Sequence, residues 1–237
     1  LAFNFQTFKT RALTALLFVA VMLTGLLWNF WSFLILFTVI HFGCWYEFVK
    51  LMKKIYAERY LVYCLFGLIY ITLPILMLLD LRTISRIHTI GYESKLILEI
   101  AIPLCIMFSI WINDTMAYLV GSFFGRTPLT KISPKKTWEG TMGGMILCVI
   151  AIGFLFPLVM GKQLEASDAS LRTWFIIPAI CGVFGTLGDI LESKLKRMAD
   201  VKDSGSFMPG HGGFLDRFDS LLVAVPFVWL YIKLFVL

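Results

Sequence analysis

Apolar residues run through this chain in long stretches, each close to the ~20 residues that a helix needs to cross the hydrocarbon core of a bilayer. About seven are expected, at 11–27, 29–50, 60–79, 96–123, 140–160, 174–191 and 221–237. None alternates with period two, as the strands of a membrane barrel would. The pattern therefore predicts an all-α fold, a polytopic transmembrane helical bundle. The polar stretches between the runs are too short for a separate soluble domain, and no repeat or linker divides the chain. Residues 1–237 are accordingly read as a single integral membrane domain. The first run is long and lacks a small-residue cleavage site, so it reads as a retained span rather than a leader.

Composition agrees with lipid as the solvent: the chain is 59% hydrophobic and 15% charged, with a mean hydropathy of +0.85, far from a soluble domain. The five cysteines, Cys44, Cys64, Cys105, Cys148 and Cys181, fall inside apolar runs with no CxxC pair. They read as small buried hydrophobes. A net charge of +6 comes without an aromatic-interleaved basic patch, so no nucleic acid is expected as a partner. The cations bear on topology instead. They concentrate at 9–11, 50–59, 126–136 and 194–217, which seven crossings bring to one side; the positive-inside rule makes that side, and the N-terminus, cytoplasmic. The 82–95 loop, with Arg82, Arg86 and Lys95, fits this assignment poorly. The two most polar loops, 125–137 and 193–219, then share the cytosolic face, where nucleotides are available.

The least lipid-like segment is 188–220. On a continuing sixth helix, Asp189, Glu192 and Ser193 stand at i, i+3 and i+4 and face one way, and Asp216 and Asp219 repeat the i, i+3 spacing where the last helix begins. Two carboxylate pairs at a membrane boundary repel unless a cation lies between them, and hard oxygen ligands suit Mg²⁺, which would also hold phosphates. Surface carboxylates at helix ends are the plain alternative. Between the pairs lie Lys194, Lys196, Arg197, Lys202, Asp203, Ser204 and Gly205, then Pro209, Gly210, His211, Gly212 and Gly213. Cations beside glycines that allow close backbone approach resemble a phosphate-handling loop, although Lys194 could serve only topology or anionic lipid.

A second constellation runs from Trp111 through Asn113, Asp114 and Tyr118 to Gly121, Gly125 and Arg126, and on through Ser133, Pro134, Lys135, Lys136, Thr137, Trp138, Glu139 and Gly140. Asp114 sits inside an apolar span, where an acid without pairing or function is costly. Ser133 followed by Pro134 reads as a helix cap and first turn, which beside Lys135 and Lys136 would seat a triphosphate. Gly121 and Gly125, four apart, favour close helix packing. Glu47, near the cytosolic end of the second span, could reach the same site but is a single acid.

Together these segments resemble the phosphatidate cytidylyltransferase, or CDP-diacylglycerol synthase, family. The resemblance rests on Ser193, Lys196, Arg197, Lys202 to Gly205, Pro209 to Gly213, Asp216, Arg217 and Asp219, on the Asn113 to Tyr118 and Ser133 to Gly140 segments, and on the run starting at Gly188. It extends from Arg11 onward and is strongest between Asp114 and Ser220. It implies a polytopic, Mg²⁺-dependent enzyme, with one or two cations, that joins CTP to phosphatidate. Asp189, Asp216 and Asp219 are expected at the metal, and Lys135, Lys136, Lys196, Arg197 and Lys202 at phosphates. Asp203 and His211 are expected to orient groups, and Asp114, Ser133, Thr137, Glu139, Ser193, Gly212, Gly213 and Arg217 to contact substrate. The expected setting is a bacterial inner membrane with the site facing the cytoplasm; membrane lipid is a partner and a homodimer is allowed for. Relatives carry a longer region between the second span and Arg59, so a helix pair near 54–59 is expected to be missing from a shortened form.

The expected chemistry is in-line attack of a phosphatidate oxygen on the α-phosphorus of CTP. A phosphate monoester, with its second pKa near ~6, is anionic without a strong base. A related lipid cytidylyltransferase or CTP-dependent lipid kinase is the near alternative. An ion-coupled transporter is the distant one, since no inverted repeat is visible.

Overall fold

The computed structural model describes residues 5–83, 92–160, 171–207 and 212–236. Among them every regular element is helical, and the β-bridge between Pro128 and Thr137 is isolated. The elements are α1 (Phe5–Leu27), α2 (Phe30–Tyr56), a 3₁₀ turn (Ala57–Arg59), α3 (Tyr60–Gly67), a π-helical turn (Leu68–Thr72), α4 (Leu73–Thr83), α5 (Tyr92–Phe124), α6 (Trp138–Met160), α7 (Thr173–Met198) and α8 (Leu215–Phe235). Among the described residues five stretches are long and apolar enough to cross a membrane: Phe30–Thr83, Leu98–Phe124, Trp138–Met160, Thr173–Met198 and Leu215–Phe235; Ala12–Leu27 is a shorter apolar helix. The first of the five contains both α2 and the α3–α4 run, with the break at Ala57, whose φ of 46° lies in the left-handed region.

The chain divides into two compact units, each assembled from separate stretches: residues Leu1–Ile71 with Leu195–Phe218, and Thr72–Lys194 with Asp219–Leu237. In the first, α1 turns into α2 through a reciprocal cap. The Asn29 side chain accepts from Ser32 N at 2.8 Å while Ser32 Oγ accepts from Asn29 N at 3.1 Å, satisfying backbone donors that lipid could not. The core of this unit is aromatic. Phe33 and Phe37 have ring centroids 4.6 Å apart, Phe48 meets Tyr70, and Tyr56 stacks on Tyr63 at 3.5 Å.

In the second unit α5 and α6 lie with backbones almost touching, because α6 presents Gly140, Gly143 and Gly144. A Cβ on Gly144 would stand 2.6 Å from Ala117 N, and one on Gly140 would stand 2.7 Å from Ala117 O. Gly121 faces the same contact, with Gly140 Cα 3.5 Å from where its Cβ would be. Without a hydrophobic drive between helices in lipid, such close approach supplies the dispersion that joins them. Two pairings of charge lie inside this unit: Arg82 bonds Glu99 at 3.3 Å with both buried, and Asp80 accepts from Trp229 Nε1 at 2.7 Å and from Lys233 at 2.9 Å. All five cysteines are buried, and none forms a disulfide.

Gly144→Val places a branched side chain against the Ala117 backbone and is expected to destabilise the protein by at least ~1–3 kcal/mol, as overpacking does. Gly185→Ala serves as the control, since its new methyl would meet only Ser220 Cβ at 3.4 Å. Thermal unfolding in detergent checks the pair; equal midpoints would mean that α5 and α6 do not depend on this contact.

Candidate functional site

In the first unit the functional residues surround one buried carboxylate. Glu47, on α2, is 3% exposed. Its Oε1 accepts from Phe214 N at 3.0 Å, and its Oε2 accepts from Leu215 N at 2.9 Å and from Ser204 Oγ at 2.7 Å. These amides belong to the opening of α8, where a helix leaves donors unpaired and its dipole favours negative charge. Any Cβ on Gly205 or Gly213 would strike the Glu47 carboxyl, so both glycines are required by close approach.

Asp216 closes the same loop from the other side. Its Oδ2 accepts from Ser204 N at 2.9 Å and Gly213 N at 2.8 Å and lies 2.9 Å from Ser204 Oγ, while Lys196 reaches Oδ1 at 2.6 Å. Ser204 Oγ thus stands between two carboxyl groups, and its single proton serves one at a time. Gly212 has φ +83°, and a Cβ there would also meet Asp216 Oδ2, at 2.7 Å. Asp216, expected at a metal, bonds the loop through Ser204 and Gly213 and holds Lys196. Arg197, Lys202, Asp203 and Arg217 are exposed around it. His211 lies outside the described residues, as do Pro209 and Gly210.

The second unit builds a comparable loop at 125–137. Glu139, in the first turn of α6, accepts from Arg126 N at 3.1 Å and from Thr127 N at 3.1 Å, and Trp138 N returns to Thr127 O at 2.9 Å. The expected helix start at Ser133 is not what the chain does. Residues 133–136 form a turn closed by Lys136 N to Ser133 O at 3.1 Å, Ser133 N is taken by Thr130 Oγ1, and α6 begins at Trp138. The cap is Thr137, whose Oγ1 accepts from Gly140 N at 3.1 Å. Pro134 fits the turn as readily as a first helical turn, which is why the dipeptide misleads.

That turn delivers Lys136 onto the Asp189 carboxylate of α7, and Ser193 Oγ donates to Asp189 Oδ1 at 3.3 Å, as the i, i+4 spacing requires. Lys135 is exposed. Asp219 is 7% exposed and lies within electrostatic reach of Asp189, Asp114 and Lys136. Its backbone oxygen abuts Gly188 of α7, where any Cβ would collide with it, and Ser220 Oγ donates to Gly185 O at 3.0 Å. Asp219 thus lies close to the Lys136–Asp189 pair, with Asp114 within electrostatic reach. Asp189 and Asp219 offer the hard oxygen donors that a divalent cation takes. No three acidic, His or Cys side chains among the described residues stand close enough together to hold a metal ion by themselves.

Glu47 was the residue that sequence reasoning undervalued, and the GxxxxxxxG spacing of Gly205 and Gly213 was the signal that a bulky group sits against the loop. Lys50 and Lys54 face the same loop and were read only as topology signals.

Comparison with known proteins places this geometry in a family. The pattern described as the cytidylyltransferase family matches residues 62–235. A phosphatidate cytidylyltransferase of Thermotoga maritima is 42% identical over 132 residues, 55% of this chain and 48% of the relative. Another, from Bacillus subtilis, is 45% identical over 127 residues, 53% of this chain and 45% of the relative. A third, from Staphylococcus aureus, is 32% identical over 206 residues, covering 78% of this chain and 70% of the relative. The chain thus spans about half the length of the first two. With the family pattern covering most of its residues, and these helices and loops carrying the matched motifs, the chain belongs to the cytidylyltransferase family.

Proposed function

We propose that this protein transfers the cytidylyl group of CTP to phosphatidate, releasing pyrophosphate and leaving CDP-diacylglycerol in the membrane. The observation that carries the reading is the Lys136–Asp189 pair with buried Asp219 close by, on membrane-length helices, in a chain similar to phosphatidate cytidylyltransferases. A phosphatidate phosphate oxygen attacks the α-phosphorus of CTP; the bond from that phosphorus to the bridging oxygen breaks, and pyrophosphate leaves with the electron pair. The lipid phosphate is anionic near neutral pH, so it needs no strong base.

The residues divide the labour by position. Asp189 and Asp219 would hold Mg²⁺, with Asp114 nearby. The ion, one or a pair, supplies charge neutralisation on phosphate oxygens. Lys136, anchored on Asp189, and exposed Lys135 meet phosphates, with Ser133 and Thr137 in the same turn; Glu139 keeps that turn shaped, and Ser193 steadies Asp189. In the other unit Arg197, Lys202 and Arg217 meet phosphates, while Asp216 fixes Lys196 for the same task. Gly212 and Gly213 let the loop close on substrate; Asp203 and His211 orient it.

Counting Phe30–Thr83 as two crossings and adding α1 gives seven spans, with the N-terminus cytoplasmic and both motif loops facing the cytosol of a bacterial inner membrane. We read residues 1–237 as one working domain, capable of pairing as a homodimer, with a helix pair missing near 54–59.

Purified protein given CTP, phosphatidate and Mg²⁺ is expected to form a CDP-lipid and pyrophosphate. A phosphorylated lipid with CDP would instead mark a kinase, and full turnover in excess chelator would remove the metal.

Asp189→Asn and Asp219→Asn change volume little and each remove a charge from the carboxylate group. Turnover is expected to fall by two orders of magnitude or more, since each 1.36 kcal/mol is about tenfold and losing a metal ligand costs several. Wild-type rates in folded protein would place the reaction elsewhere.

A further inference from the structure

Beside the loop anchored by Glu47 lies a cavity of about 150 Å³, lined by Lys50, Leu51 and Lys54 of α2 and by Val201, Asp203, Ser204, Gly205 and Ser206 of the loop, all in the first unit. Glu47, Lys50, Leu51 and Lys54 stand at i, i+3, i+4 and i+7, so one helix face carries both the anchor and the cavity wall. Leu51 is buried and gives that wall a fixed floor, while both lysines are exposed at its rim. The opposite wall is held in shape: Ser204 is bonded to Glu47 and Asp216, and Gly205 can have no side chain. Two lysines against one acid, Asp203, leave the lining positive, and the volume is about ten times the ~10–15 Å³ in which a single water fits, room for a tetrahedral oxyanion.

We propose that this cavity is a binding site for a phosphate group of a substrate, with Lys50 and Lys54 as its charged donors and the 203–206 segment as its backbone wall. The proposal rests on the transfer reaction above for the carriers of that phosphate: the triphosphate of CTP or the headgroup of phosphatidate. The site requires α2, which lies before residue 62, where the family match begins.

A plainer role exists for lysines in the last turn of α2, since Lys53 and Lys54 complement the helix dipole there. Lys53 separates the two readings. It carries the same charge on the same turn, but its ammonium sits 4.9 Å over the Tyr60 ring and it does not line the cavity.

The test uses detergent-purified full chain as wild type, K50Q/K54Q and K53Q. Binding is measured for pyrophosphate, and for phosphatidate-containing against phosphatidylcholine vesicles. The KM for CTP and for phosphatidate are measured separately. K50Q/K54Q is expected to weaken binding of one or both phosphate probes, and to raise the matching KM, by about tenfold or more, the scale of lost charge-assisted hydrogen bonds. Its kcat should stay near wild type and K53Q should follow wild type throughout. The probe that moves names the source of the phosphate. Unchanged binding and KM in K50Q/K54Q, or an equal loss in K53Q, overturns the site. A wild-type protein that makes no CDP-lipid overturns the transfer reaction instead, and the binding arms still judge the cavity.

Discussion

The carboxylate of Glu47 fixes the shape of the polar segment between α7 and α8. Three donors from that segment, Ser204 Oγ, Phe214 N and Leu215 N, converge on its two oxygens in a setting almost closed to water. A buried charge of this kind is stable only when it is met by several hydrogen bonds, and each bond to an ionised group is worth more than a neutral one. The second unit repeats the device with Glu139, which accepts Arg126 N and Thr127 N and so shapes the 125–137 loop. In both units an acid on a helix, rather than regular pairing within the loop, determines where the cations of that loop stand.

The acids at these two loops differ in what they hold. Glu47, Glu139 and Asp216 spend their lone pairs on backbone amides, and their charge is used up in holding a loop. Asp189 and Asp219 instead lie near one another and Lys136, with Asp114 within electrostatic reach of Asp219. Lys196 and Lys136 differ in the same way. Lys196 is gripped by a carboxylate that is itself fixed by three other contacts, while Lys136 shares its carboxylate with a lone serine.

The helices were legible because lipid imposes a single rule, an unbroken apolar run of membrane length, and α5 to α8 follow it to within a few residues at most ends. The i, i+4 pairing of Asp189 with Ser193 followed from helix geometry alone. What failed was local and instructive. Ser133 and Pro134 satisfy a turn and a helix start equally well, and the choice fell to Thr137 because the Glu139 carboxylate pulls the preceding backbone into a loop. The roles of Asp216 and Asp219 could not be separated by their spacing either. One turns toward Ser204 and Lys196 and the other toward Asp189, a difference set by partners that lie far away in sequence.

Gly205 and Gly213 are explained by a residue far away in sequence, Glu47. Gly205 and Gly213 are eight positions apart and belong to no common turn, yet a methyl group on either would occupy the space of the Glu47 carboxyl. Their spacing records the size of that carboxyl and the way the loop wraps it. Gly188 similarly records the backbone of Asp219 pressed against α7. The loop of this chain is thus shaped by a helix that precedes residue 62, where the family match begins. It follows that α2 and the loop are one physical unit. A change at Glu47 acts on the loop as directly as a change within it, because Phe214 and Leu215 would lose the acceptor that starts α8 and Ser204 would be left with Asp216 as its carboxyl partner.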